Sequence, residues 1–258
     1  MEWSKLKTVI IVILLIVNAV LLFLLVRDTQ TTRRLRADAL DDLHTVLRIN
    51  GIELKAETLP DSDGVYALTS ARDVAEENEI STTLLGFCIF DDKGGNIHYY
   101  HSELGEAYFR GTGDFEMTLY SADESAFKLM RKLFSEKGIV LPAEIYGSAN
   151  QTLGNLPVYD CVLTFEKYES GVKITGRLIT SPAVPDINKP AIDAPTALVR
   201  FVSEMNLNGF ICTEVTNIEL GYSMAAPVAG DFELTPVWRI ITDTGEYYIN
   251  GVNGALIK

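Results

Sequence analysis

Val237-Trp238-Arg239-Ile240-Ile241-Thr242, then Asp243-Thr244-Gly245, then Glu246-Tyr247-Tyr248-Ile249-Asn250 is the stretch that decides the fold. Two runs rich in β-branched and aromatic residues flank a short polar turn ending in glycine, which is the pattern of a β-hairpin. Similar units lie upstream. Val158 to Tyr168 and Val172 to Thr180 flank Glu169-Ser170-Gly171, and Tyr108 to Arg110 and Phe115 to Tyr120 flank Gly111-Thr112-Gly113. Leu84 to Phe90 and Ile97 to Ser102 flank a turn running from Asp91 to Asn96. Hairpins join antiparallel strands, so the sheets are expected to be antiparallel.

A second pattern occurs three times: an amphipathic helix that ends at a glycine and runs into an apolar strand. It spans Leu43 to Leu54 through Gly51, Phe127 to Leu141 through Gly138, and Leu198 to Ile211 through Gly209. Glycine supplies the left-handed residue that closes a helix. Ser121 or Asp123 can cap the second helix, and Asp193 with Pro195 can open the third. Helices on one face of antiparallel sheet make the fold class α+β. Ser181 to Pro195 holds four of the nine prolines and reads as a loop or linker between two parts, 51–180 and 196–258, which the repeated pattern suggests are related.

Val9 to Val26 is a run of eighteen residues in which only Asn18 is polar. At ~1.5 Å per residue it is about one bilayer crossing. It is longer than the ~7–15 apolar residues of a signal peptide, and no small-x-small cleavage site follows. The expectation is therefore an uncleaved anchor at 9–26, a stub at 1–8 on one side of the membrane and a juxtamembrane helix over 27–50. A central amide in hydrocarbon seeks a partner on another helix. Leu14, Leu15, Leu21, Leu22 and Leu25 lie three, four or seven positions from Asn18 and share its side of a helix. Lys5 and Lys7 precede the run, whereas Arg27, Arg33, Arg34 and Arg36 follow it. By charge alone the larger part of the chain would lie inside the cell.

The chain carries 22 Lys and Arg against 35 Asp and Glu, a net −13. That balance repels phosphate backbones and argues against nucleic-acid binding. Cys88, Cys161 and Cys212 are odd in number and each sits in an apolar stretch, so buried thiols are expected. One disulfide outside the cell would be compatible with the count, but the pair is left open. No CxxC or Cys/His cluster suggests zinc.

Catalytic patterns are incomplete. Ser125-Ala126-Phe127-Lys128 has the spacing by which a lysine activates a serine, and Ser148-Ala149-Asn150 follows, but Lys173-Ile174-Thr175-Gly176 is one residue too long for the third element. Gly221-Tyr222-Ser223-Met224-Ala225 is close to a nucleophile elbow, yet His44, His98 and His101 all precede it in the chain. On a strand His98 and His101 point to opposite faces and cannot share a metal. Asp91-Asp92 with Asn96 lacks the length of a calcium loop. No catalytic residue, cofactor or metal site is expected.

The opening Met1-Glu2-Trp3-Ser4-Lys5-Leu6-Lys7-Thr8, running straight into the apolar stretch, resembles the start of the YycI family. Ile218-Glu219-Leu220-Gly221-Tyr222 and the stretch from Thr235 to Asn250 resemble its closing segment. YycI proteins and the similar YycH proteins are accessory regulators of a two-component system in Gram-positive bacteria. The resemblance implies one N-terminal anchor, an α+β domain outside the cell and no enzyme activity. It implies pairing with a YycH-like protein and with a WalK-type sensor histidine kinase that governs cell-wall homeostasis, in a homo- or heterodimer. Contact through the membrane would place Leu14, Leu15, Asn18, Leu21, Leu22 and Leu25 at the interface. Two alternatives accompany it. Gly245 to Ile257 resembles the terminal hairpin of PepSY-like domains, which implies an anchored binding or protease-inhibitor module. Ser125 and Lys128 would make an anchored serine hydrolase.

Overall fold

The computed structural model describes residues 40–56, 58–144, 146–225 and 231–257, together with Leu14, Val17 and Asn18. Two compact units divide the chain, Met1–Leu54 and Lys55–Lys258. In the first, residues 40–49 form helix α1, and Glu53–Leu54 form the short strand β1. Gly51 has φ 71°, and the Ile52 amide bonds back to the Leu47 carbonyl at 2.9 Å. The expected helix, glycine and strand are thus all present there. Among the described residues no helix is long and apolar enough to cross a membrane. The 9–26 run lies almost wholly outside them.

The second unit is α+β. Its helices are α2 (Val74–Leu85), α3 (Glu124–Glu136) and α4 (Ala194–Asn208). Each is opened by an aspartate that accepts a backbone N–H of its first turn: Asp73 from Ala75 at 2.8 Å, Asp123 from Ala126 at 2.8 Å, and Asp193 from Thr196 at 2.9 Å. Such caps satisfy donors that have no partner inside the helix. Gly209 closes α4 in the left-handed region at φ 69°.

The strands are β2 (Tyr66–Ser70), β3 (Ile89–Asp92), β4 (Ile97–His101), β5 (Gly105–Arg110), β6 (Asp114–Leu119), β7 (Gly147–Leu153), β8 (Leu156–Tyr168), β9 (Gly171–Arg177), β10 (Val184–Pro190), β11 (Glu214–Ala225), β12 (Phe232–Thr242) and β13 (Glu246–Asn250). They follow the order β10-β2-β12-β11-β8-β9-β6-β5-β4-β3, with β13 also on β12 and β7 also on β8. Among the described residues, the pairings between these strands are antiparallel except where Tyr222 of β11 meets Val158 of β8 in parallel. The result is a large mixed sheet made of two antiparallel parts joined at one point.

Alternation puts Phe115, Met117 and Leu119 of β6 on the same face as Phe165 of β8 and Ile174 of β9. Ile80 and Leu85 of α2 and Met130 and Phe134 of α3 cover that face and complete one core. A chain of ring contacts runs through it, Phe109 to Phe115 to Phe134 to Phe165, with centroids 4.9, 6.5 and 5.5 Å apart. On β12, Trp238 is fully buried and donates its indole N–H to the Ile192 carbonyl at 3.0 Å.

Two readings of the sequence change. Leu84 to Phe90 is not a strand. The helix α2 continues to Leu85, Gly86 turns the chain at φ 69°, and only Ile89–Asp92 is extended. Ile80 and Leu84 face the core four residues apart, a helical spacing. Ser181 to Pro195 is not all loop. Val184–Pro190 forms β10, paired with β2 as the outermost strand in the chain of pairings. Pro185 and Pro190 are tolerated there because an edge strand has no need of every amide.

Candidate functional site

The positions singled out in the sequence fare differently. Leu14, Val17 and Asn18 are helical and exposed. Leu15, Leu21, Leu22 and Leu25 lie outside the described residues. Ser125 and Lys128 are both exposed at the start of α3. Ser148 on β7 hydrogen-bonds Thr164 at 3.1 Å, and Lys173 on β9 is held by Glu116 at 2.9 Å. Ser223 donates to Asp160 at 2.5 Å, so its partner is a carboxylate on β8. His98 meets Glu77 while His101 lies 3.7 Å from Asp91 on the other face of β4. Asp92 accepts the Gly94 amide at 2.8 Å and Asp91 pairs with Lys93 at 3.1 Å, which makes this segment a self-satisfied turn. Among the described residues no group of His, Cys, Asp and Glu is arranged to hold a metal. All three cysteines are free thiols; Cys161 and Cys212 are buried and Cys88 is half-buried.

One polar cluster was not visible in the sequence. Glu77, in the first turn of α2, is only 2% exposed. Arg72 meets it with two nitrogens, Nε at 2.5 Å and Nη2 at 3.3 Å. The same guanidinium donates to the carbonyls of Asn96 at 2.6 Å and Phe109 at 2.9 Å. His98 Nδ1 approaches the second Glu77 oxygen at 2.6 Å. The cluster fastens the start of α2 to β4, β5 and the β3–β4 turn. Breaking one partner of such a buried group is costly, because the remaining charge is left in a poor solvent. Beside it, the Tyr100 hydroxyl is buried and has no hydrogen-bond partner among the described residues. Burial pushes its pKa up to about 12, and the Glu77 charge adds to the effect.

The outermost strand β3 lies over this cluster. Phe90 packs its ring on His98 at 5.3 Å and on Tyr100 at 5.1 Å. Apolar side chains around this strand are open to solvent, with Phe87 94% exposed, Ile89 56%, Phe90 45% and Leu104 55%, while Asp91 and Asp92 make up its other half. Among the described residues no strand pairs with the outer edge of β3. Unpaired main-chain groups on an edge strand can take up another strand, although a strand this short with two aspartates is a poor template. The opposite edge, β10, carries Pro185 and Pro190, which block that use.

The face of the sheet turned away from α2 and α3 is charged and internally paired. Arg177 meets Asp114 at 3.2 Å, and Lys173 and Arg110 meet Glu116 at 2.9 and 3.5 Å. The Thr112 hydroxyl, then Arg177, hold the Asp114 carboxyl below its ordinary range, and Lys173 does the same for Glu116. On this face Tyr99 donates to Glu106 at 2.8 Å and its ring lies 4.5 Å from that of Tyr108.

No protein-family profile matches the chain, and no curated protein matches it. Solved structures offer partial likenesses. One is an uncharacterized protein from Eubacterium rectale, 10% identical, with 75% of this chain and 86% of that one covered at a TM-score of 0.41. Another is the YpeB C-terminal domain of Bacillus megaterium, 10% identical, with 73% and 97% covered at a TM-score of 0.37. Likenesses this distant carry no argument about function.

Proposed function

We propose that this chain is a membrane-anchored accessory regulator of a WalK-type sensor histidine kinase. It pairs with a YycH-like protein and acts through contacts of its transmembrane helix. One observation carries the reading: an apolar run of eighteen residues holds a single polar side chain, Asn18, at its middle. Leu14, Val17 and Asn18 are helical and exposed, and their spacing places them on one side of the helix.

A helix in the bilayer changes a kinase only by binding one of its states better than another. A difference of ~1–3 kcal/mol is enough to matter. An interhelical bond from Asn18, worth ~0.6–2 kcal/mol, is of that order. The folded unit then holds the helix in register outside the cell. The outward placement follows the YycI resemblance against the local Lys and Arg count, and a reporter fused after Lys258 tests it.

The mechanism is tested by replacing Val9 to Val26 with a generic polyleucine helix. Regulation of the kinase is expected to be lost while the protein still accumulates in the membrane. Regulation that survives the exchange contradicts helix contact. A second reading, an anchored PepSY-like binding module, is favoured by the exposed apolar side chains around β3. It expects the folded unit, released from its anchor, to retain activity on a partner.

A further inference from the structure

We infer that the loop tip closing α4, Asn206 to Ile211, seats its apolar side chains in the surface of the bilayer that holds the 9–26 run. This rests on the anchor reading, but not on the kinase and not on which side of the membrane the folded unit lies. All six residues of the tip are exposed, with Leu207 at 78%, Phe210 at 47% and Ile211 at 79%. Met205 to Thr213 is a run of nine residues without a charge, in a chain of net −13. The root of the tip is fixed. Gly209 turns it at φ 69°, and the Phe210 amide bonds back to the Met205 carbonyl at 3.0 Å. Thr213 donates its amide and its hydroxyl to Asp243 at 3.1 and 2.7 Å, and the Phe210 ring leans on Tyr247 at a centroid distance of 6.0 Å. Leu207 and Ile211 are thus presented by a turn that is already ordered, so burying them costs little further backbone entropy.

Two observations select lipid as the occupant. The first is where the tether enters. Lys55 opens the folded unit; its amide bonds to the Val215 carbonyl at 2.9 Å and its ammonium meets Glu214 at 2.5 Å. The entry point is therefore tied to the start of β11, the strand into which the tip leads. Residues 27–54 join Val26 to Lys55 and, with α1 kept helical, reach at most roughly 75 Å. A tether of this order raises the effective concentration of the bilayer surface enough for a patch too weak to bind membranes alone. The second is charge. The acidic side chains around the root are already engaged, Glu214 by Lys55, Asp243 by Thr213 and Glu204 by Asn208 at 3.3 Å. The tip has no basic residue to seek anionic headgroups, so its insertion is apolar and favours neutral lipid. Three side chains on one turn fall short of the ~1,200 Å² of a specific protein interface. Entry of a few apolar side chains into the headgroup boundary makes no such demand when a tether supplies the proximity.

The test uses the full chain reconstituted in phosphatidylcholine vesicles doped with nitroxide-bearing lipid. A fluorophore is placed at Ile211→Cys, with Cys88→Ser and Cys212→Ala; Cys161 is fully buried. The same label at Asn18→Cys, Phe87→Cys and Ile187→Cys gives the references. Quenching several-fold stronger at 211 than at 87 and 187 is expected, with position 18 quenched as well. Leu207→Cys reads the same contact should the 211 variant fold poorly, and Ile211→Asp is expected to cut its quenching several-fold. Quenching at 18, with neither 207 nor 211 above the level of 187, overturns the inference and leaves the anchor standing. No quenching at 18 overturns the anchor reading and the inference with it. Three further results overturn the inference alone: stronger quenching at 87 than at 211, no change at 207 with Ile211→Asp, or a signal at 211 that appears only when anionic phosphatidylglycerol is added.

Discussion

Glu77 on α2 and His98 on β4 approach within 2.6 Å, with side chains 3% and 13% exposed, although 21 residues separate them. Arg72 closes on the same carboxylate from the other side at 2.5 Å. Helix, strand and turn are therefore joined by one buried carboxylate.

Glu77→Ala is expected to destabilise the folded unit by about 3–5 kcal/mol, since it leaves Arg72 buried without its partner. Glu77→Gln is expected to cost less. Urea unfolding followed by tryptophan fluorescence measures both. A loss of under about 1 kcal/mol for Glu77→Ala, the range of a surface pair, would contradict the role given to this cluster.

The β12 strand offers a contrast between neighbours. Trp238 is fully buried, and Trp238→Ala is expected to cost about 3–5 kcal/mol. Arg239 reaches Glu219 at 3.0 Å and Glu246 at 2.7 Å from the solvent side. Arg239→Met is expected to cost no more than about 1 kcal/mol, because exposed pairs are screened by water and salt. The same unfolding experiment orders the two.

Gly138 has φ 77°, and a Cβ there would lie 2.1 Å from the Thr152 carbonyl oxygen. Gly138→Ala is thus expected to cost more than the ~1 kcal/mol that the same change recovers at a compatible site. Gly154 has φ 61° but nothing within 4 Å of its Cβ position, so Gly154→Ala should be milder. Thermal unfolding of the two variants checks the order.

Burial pushes the Cys161 thiol up to about 12, with the Asp160 charge adding to it. The folded state therefore favours the neutral thiol. This contribution to stability is complete below the unfolded thiol value of ~8.5 and is lost as pH rises from there toward 12. At pH 8 the group holds roughly a thousandfold less thiolate than an ordinary cysteine. Iodoacetamide with mass mapping is expected to leave Cys161 unmodified until urea unfolds the chain, and to modify the half-buried Cys88 first. Rapid native labelling of Cys161 would contradict its burial.

How much of this was legible in the sequence depended on locality. The β12–β13 and β8–β9 hairpins were, because a short polar turn between two β-branched runs is a local signal. So were the cap Asp193 and, as one of two candidates with Ser121, the cap Asp123. The start of α2 was not read, because Glu76, Glu77, Asn78 and Glu79 interrupt its apolar spacing; only core packing at Ile80 and Leu84 reveals it. Strand β10 was hidden by Pro185 and Pro190, which read as loop until the strand is seen at an edge. Arg72, Glu77 and His98 form no short motif and are assembled only by the fold. Asn18 was legible because one amide in eighteen apolar residues is conspicuous.

In the proposed mechanism Asn18 touches the kinase or its YycH-like companion within the membrane. A photoreactive residue at position 18, crosslinked in living cells and followed by identification of the attached protein, tests it most directly. Adducts with a sensor histidine kinase or a YycH-like protein are expected. Adducts only with lipid or with further copies of this chain, from a site verified to lie in the membrane, would contradict it and move the work to the folded unit.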